Sequence, residues 1–263
     1  MIKLIAVVTM IIDHIGFVFF PEVTILRIIG RIAMPLFAFS IARGFFYTKS
    51  KGKYFTLMAI FAVISQVPFH YMRLAGRGME LTSSDIPYQF MAAFRLDAHY
   101  NILVTWLLAM LFLLGLERLL NKKCEWLIVT AALLIGPIAT SFYLSFDFGL
   151  YGVILPAIFY MTFYGRSVTT GASKREVSFT LSDYVNVFIF VALATYLMWM
   201  DRLPDQFYSI SDLPVQFYAV LAIPLIPLTI SFDHKVKLPK LFFYFSYPVH
   251  IILLVATAWV VMG

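Results

Sequence analysis

Hydrophobic residues run along this chain in long, nearly unbroken stretches separated by short polar joints. A helix of about 17 to 25 apolar residues is long enough to cross the hydrocarbon core of a bilayer. Nine such runs are found, at about residues 3–20, 24–46, 54–72, 100–117, 125–144, 149–165, 184–200, 216–232 and 240–261. The joint from Leu144 to Gly149 is short enough for a tight turn. Two polar segments are longer. Residues 166–183 are rich in Ser, Thr, Gly and charge, the composition of a loop. Residues 73–99 enclose the apolar stretch Ile86 to Phe94, which fits an interfacial helix or a re-entrant piece.

The expected fold is therefore an all-α polytopic transmembrane helix bundle of about nine spans, forming one integral membrane domain over residues 1–263. Composition strengthens this reading. The chain is 62% hydrophobic and only 13% charged, with a mean hydropathy of +0.88, whereas soluble domains are about 25% charged. The single cysteine, Cys124, excludes an intramolecular disulfide and a thiolate metal cluster. The first run has one Lys before it, Asp13 and His14 inside it and no small-residue cleavage site, so it reads as a retained helix rather than a signal peptide. The net charge of +6 reflects placement rather than nucleic-acid binding. With a cytoplasmic amino terminus, the inside ends carry Lys3, Lys49, Lys51, Lys53, Arg118, Lys122, Lys123, Arg166, Lys174, Arg175, Lys235, Lys237 and Lys240. The outside loops carry Arg73, Arg77, Arg95 and Arg202, and Arg27, Arg31 and Arg43 lie within the second run. This is the positive-inside bias.

Against that apolar background, Asp13 and His14 stand near the middle of the first helix. An Asp at the bilayer centre costs roughly 2.5 to 3.5 kcal/mol on insertion scales, which makes such residues functional candidates and calls for partners. Arg27 and Arg31 are four apart in the second run and share one helix face; across a short hairpin, Asp13 is the economical partner for Arg31. At about 1.5 Å rise per residue, His14, Arg31, Gln66, Asn101 and His250 fall in one layer from the midplane outward. That convergence of five helices predicts a shared polar cavity. Neighbours on a helix point about 100° apart, so Asp13 turns to Arg31 while His14 is left for chemistry. His is the usual proton acceptor near neutral pH, and Gln66, Asn101 and Tyr247 are candidate donors to a developing oxyanion. No helical His-x-x-x-His spacing is present, so no metal is expected.

Asp13-His14, Gly30-Arg31-Ile-Ala-Met-Pro35-Leu-Phe-Ala, Ile64-Ser-Gln66, Asn101-Ile-Leu and Tyr247-Pro248-x-His250 together resemble the TraX family of integral membrane proteins, named for a conjugation-system protein that acetylates the amino terminus of pilin. The resemblance covers about residues 1 to 255. It implies a bacterial cytoplasmic membrane and an acyltransferase using acetyl-CoA as donor, without fixing the acceptor, which could be a protein amino terminus or a cell-envelope glycan or lipid. In that reading His14 is the general base, His250 assists, and Asp13 with Arg31 holds the helix pair. The basic cluster Lys49, Lys51, Lys53, Arg118, Lys122 and Lys123 would suit the anionic donor. The competing readings are a proton-coupled transporter or flippase, with Asp13, His14 and Arg31 as a relay, and a purely structural polar cluster. Breaks at Pro35, Pro68, Pro224, Pro227 or Pro248 would favour the transporter.

Overall fold

The structure, a computed structural model, describes residues 1–79, 86–121, 127–171, 177–200, 215–230 and 239–262. Each apolar run is helical over most of its described length. The helices are α1 (Ile2–Phe19), α2 (Thr24–Arg31), α3 (Ala33–Tyr47), α4 (Lys51–Ala75), α5 (Ile86–Ala92), α6 (Ile102–Leu120), α7 (Leu127–Tyr143), α8 (Gly149–Thr170), α9 (Leu181–Met200), a 3-10 segment (Val215–Leu221) running into α10 (Ala222–Ile230), and α11 (Lys240–Met262). No β-strand occurs among the described residues, only an isolated bridge between Tyr100 and Phe146. Among the described residues five segments are long and apolar enough to cross a membrane: Ile2–Phe19, Thr24–Tyr47, Lys51–Ala75, Ile102–Leu120 and Leu241–Val261. The protein is thus a multi-pass helical membrane protein. Residues such as Val63, Leu197, Leu253 and Val260 are exposed on its helices, a surface that hydrocarbon rather than water can solvate.

The prolines do different things. Pro68 and Pro248 sit inside continuous helices, as membrane helices tolerate. The second apolar run, by contrast, is interrupted at Ile32. Pro35 has no N–H to offer the carbonyl of Arg31, and its ring crowds that oxygen, which accounts for the joint between α2 and α3. A 3-10 stretch of seven residues ending at Leu221 is long for that geometry; Pro224 lies one turn beyond and cannot donate to the carbonyl of Val220.

The chain divides into two compact units that interleave in sequence. The first comprises residues 1–47 and 158–239. In it α1 packs on α2 and α3, and the 3-10 segment packs on α2 and α9. An aromatic core fills it: Phe39 meets Phe159 edge to face at 5.4 Å, Phe46 stacks on Phe163 at 5.5 Å, and Phe179 reaches Phe163 at 4.6 Å. The second unit comprises residues 48–157 and 240–263. Its α4 packs on both α6 and α11, while α6 packs on α7. There Phe61 meets Phe245 edge to face at 4.9 Å.

Candidate functional site

The polar set divides between the two units. In the first, α1 and α2 form a hairpin so close that a Cβ on Gly30 would lie 2.2 Å from the Cβ of Asp13, and one on Gly16 would lie 2.7 Å from the Cβ of Leu26. Glycine at both positions lets the backbones meet, as small residues do at membrane helix seams. This approach delivers Asp13 to α2. One carboxylate oxygen is 2.8 Å from Arg31 Nη2 and the other 2.9 Å from Arg27 Nη1. Arg27 Nη1 also donates to the Asp13 carbonyl at 3.0 Å, and its guanidinium lies 5.2 Å from the centre of the Phe17 ring. Arg31 Nε donates to the Arg27 carbonyl, and Nη1 donates to Gln216 Oε1 at 3.1 Å. The side chains of Asp13 and Arg31 are only 14% and 13% exposed, so these are charge-assisted bonds in a poorly screened place.

The hairpin pair expected from the sequence is therefore formed, with Arg27 as a second partner. Two guanidiniums thus face the one Asp13 carboxylate. His14 follows Asp13 on α1 and is half-buried. Gln216 escapes a reading of the sequence because its partner is 185 residues away. Its one local signal is that it carries the only side-chain amide between Val215 and Ile230. Its Nε2 is buried and makes no hydrogen bond among the described residues, so an N–H donor stands beside the Arg31 guanidinium. Arg43, also in the first unit, lies within electrostatic reach of Tyr47 and Tyr184.

In the second unit Gln66 and Asn101 are brought together. Gln66 Nε2 donates to the carbonyls of Ala93 and His99, and Gln66 Oε1 accepts from both the backbone N–H and the side-chain amide of Asn101. Asn101 Nδ2 also donates to the Ala62 carbonyl, and Asn101 Oδ1 caps α6 by accepting from Leu103 N–H. All four side-chain N–H bonds of the pair are thereby spent within the protein. The oxyanion-donor role expected of Gln66 and Asn101 has no N–H left in this arrangement, and the pair acts as a fastener between α4 and the start of α6. His250 is 8% exposed and its Nδ1 donates to the Ser246 carbonyl one turn back. That bond sets the tautomer, with the lone pair on Nε2. Tyr247, 4% exposed, meets the His250 ring at 5.7 Å.

The basic cluster suggested for an anionic donor is partly committed elsewhere. Lys51 pairs with Glu117, and Arg118 donates to Thr130 at 3.3 Å. Lys49 and Lys53 are exposed, whereas Lys122 and Lys123 lie outside the described residues, as do Cys124, Lys174, Arg175, Arg202, Lys235 and Lys237. Among the described residues no three His, Cys, Asp or Glu side chains gather as a metal site would require.

The family model described as "TraX protein" matches residues 1–258. A probable fimbrial assembly protein, FimC of serogroup H1 from Dichelobacter nodosus, is 27% identical over 266 residues, covering 96% of this chain and 92% of that protein. An uncharacterised protein of Rickettsia prowazekii (strain Madrid E) is 49% identical over 67 residues, 26% of this chain and 25% of that relative. No solved structure matches.

Proposed function

The chain belongs to the TraX family, and from that premise we propose that it is a membrane-embedded acyltransferase that moves an acetyl group from acetyl-CoA to an amine or hydroxyl acceptor. The observation that carries this reading is the locked hairpin: Asp13 is bound by Arg27 and Arg31, which fixes the α1 turn that holds His14. A relative named for fimbrial assembly supports a protein amino terminus, of the pilin kind, as the acceptor. In this reading the protein sits in a bacterial cytoplasmic membrane with nine spans and its amino terminus inside, where the exposed Lys49 and Lys53 meet the phosphates of the donor.

In the reaction the acceptor nitrogen attacks the thioester carbonyl carbon. A new C–N bond forms, its proton passes to the His14 imidazole, and the C–S bond breaks. The electron pair leaves on sulfur as the thiolate of CoA, which takes a proton as His14 returns to its neutral form. Asp13 serves as a positioning residue, since its two oxygens already face guanidiniums. The test is incubation of the purified protein with labelled acetyl-CoA and a panel of amine and hydroxyl acceptors, beside His14→Ala. Label transfer by the wild type, lowered about 10²- to 10⁴-fold in the variant, is the expected result. Absence of CoA binding and of transfer to any acceptor overturns the reading.

A second reading, a proton-coupled transporter or flippase, draws on one observation. One helix of the Asp13 cluster is discontinuous, α2 at Ile32 immediately after Arg31, and Gln216 lies in a 3-10 segment rather than in regular α-helix; transporters place broken helices at their binding sites. Proton flux in proteoliposomes that is abolished in Asp13→Asn, without acyl transfer by the wild type, selects this reading instead.

A further inference from the structure

A different group of residues, in the second unit, carries a chemistry that does not depend on the Asp13 cluster. His99 ends the segment before α6, and Ser145 and Asp147 stand in the joint between α7 and α8. Ser145 Oγ lies 2.5 Å from His99 Nδ1, and His99 Nε2 lies 3.9 Å from Asp147 Oδ1. Two opposite edges of one imidazole thus face a hydroxyl and a carboxylate. The ring is held nearly parallel to Phe69, 22° between planes at 6.1 Å, and its backbone carbonyl accepts from Gln66. The carboxylate favours the tautomer with N–H on Nε2, which leaves the Nδ1 lone pair to accept the serine proton. This is the nucleophile, base and orienting-acid arrangement that recurs on unrelated folds and is recognised by geometry rather than chain position.

The joint is already fastened without these side chains. Tyr100 N–H donates to the Ser145 carbonyl at 2.8 Å, Asp147 N–H donates to the Tyr100 carbonyl at 3.0 Å, and Thr105 Oγ1 donates to the Asp147 carbonyl at 2.8 Å. An added serine–histidine bond at an exposed position contributes only about 1 kcal/mol to stability, so holding the loop does not account for it. The loop also carries strain: Phe148 adopts φ = 62°, a left-handed conformation that costs a bulky residue about 1 to 2 kcal/mol. Such strain persists where surrounding structure over-determines it and clusters at functional sites. Ser145 is exposed, and His99 and Asp147 are 24% and 30% exposed, so a substrate can reach the hydroxyl. Closing the 3.9 Å contact to a hydrogen bond of about 2.9 Å needs a shift of about 1 Å, and catalytic hydrogen bonds are often long before substrate binds.

We propose that Ser145, His99 and Asp147 form a second acyl-transfer site whose substrate is an acyl ester or thioester. Ser145 Oγ attacks the acyl carbonyl carbon while its proton passes to His99 Nδ1. The bond from that carbon to the leaving oxygen or sulfur breaks, the leaving group takes the proton back from Nδ1, and the acyl group remains as an ester on Ser145. A hydroxyl or amine acceptor then gives its proton to His99 Nδ1 and attacks the acyl carbon; the ester bond to Ser145 Oγ breaks, and Oγ takes the proton back from Nδ1.

The experiment is phosphonylation of the intact protein in detergent micelles by a fluorophosphonate probe, read by peptide mass spectrometry. The probe forms an Oγ–P bond with loss of fluoride only where a serine is activated. Ser145 in the wild type is expected to be labelled. Labelling is expected to fall about 10²- to 10⁴-fold in His99→Gln, the size of a general-base contribution, and at least about tenfold in Asp147→Asn, which keeps the backbone bonds of the joint. Size-exclusion elution of each variant checks that it is folded, and Asp147→Asn serves alone if His99→Gln is not. An unlabelled Ser145 in the wild type overturns the proposal, as does labelling that proceeds equally fast in the folded variants.

Discussion

Replacing Gly30 by Ala tests the hairpin on which the candidate site depends. The added Cβ would lie 2.2 Å from the Asp13 Cβ and 2.2 Å from Oδ1. Carbon atoms pack at about 3.5 Å or more, so α1 and α2 must part by about 1.3 Å, because the Asp13 Cβ is fixed to the α1 backbone and cannot swing aside. The same movement stretches the Asp13–Arg31 contact from 2.8 Å to about 4 Å, beyond hydrogen-bond range. Overpacking alone costs about 1 to 3 kcal/mol, and a lost hydrogen bond to a charged group adds about 1.5 to 3 kcal/mol, for a total of about 2.5 to 6 kcal/mol. The assay is unfolding of purified protein in mixed micelles by SDS titration, with the thermal midpoint as a second measure. Gly52→Ala is the control: nothing lies within 4 Å of its Cβ position, and in an exposed helix Ala is favoured over Gly by up to about 1 kcal/mol. A Gly30→Ala protein as stable as wild type refutes the close approach, and with it the reason that Asp13 reaches both arginines.

Arg31→Lys keeps the charge but cannot reproduce three bonds to Asp13, Gln216 and the Arg27 carbonyl; a loss of about 1 to 3 kcal/mol is expected in the same titration. Asn101→Ala removes the α6 cap, worth about 1 kcal/mol, and strips Gln66 of a buried amide partner at a further cost of about 1 to 3 kcal/mol, visible as a lowered thermal midpoint. Pro35→Ala restores an N–H for the Arg31 carbonyl, so stability is expected to hold or rise. Transfer activity is expected to fall about 10²-fold as the arginine is displaced, and activity equal to wild type refutes a role for the joint.

What could be read from the sequence follows the physics of range. The helices were legible because bilayer thickness imposes a minimum apolar length, and each run is helical over most of its described length. Asp13 and Arg31 were legible because each is costly alone and a short hairpin joins them. Gln66 and Asn101 announced themselves as amides in apolar surroundings, but their mutual saturation depends on the carbonyls of Ala62, Ala93 and His99, which no pattern of side chains encodes. Gln216 was hidden by its distance along the chain. Ser145, His99 and Asp147 were hidden by ordinariness: polar residues in joints are expected, and only the pairing of Tyr100 with the α7–α8 joint places the serine against the imidazole. The joint at Ile32 could be suspected from Pro35, yet Pro68 and Pro248 do not interrupt their helices, since the result depends on what surrounds the freed carbonyl.

The glycine seam also bears on how the chain enters a membrane during synthesis. On insertion scales Asp13, Arg27 and Arg31 each cost about 2.5 to 3.5 kcal/mol when they meet lipid singly, or about 8 to 10 kcal/mol together. Only four residues, from Phe20 to Val23, separate α1 from α2, and the two arginines that pair with Asp13 both lie within the first 31 residues. The two helices therefore carry their own counter-ions and gain most by leaving the translocon as a preassembled pair. Gly16 and Gly30 matter from the first moments of biogenesis, because they let the charges meet one another before they meet hydrocarbon.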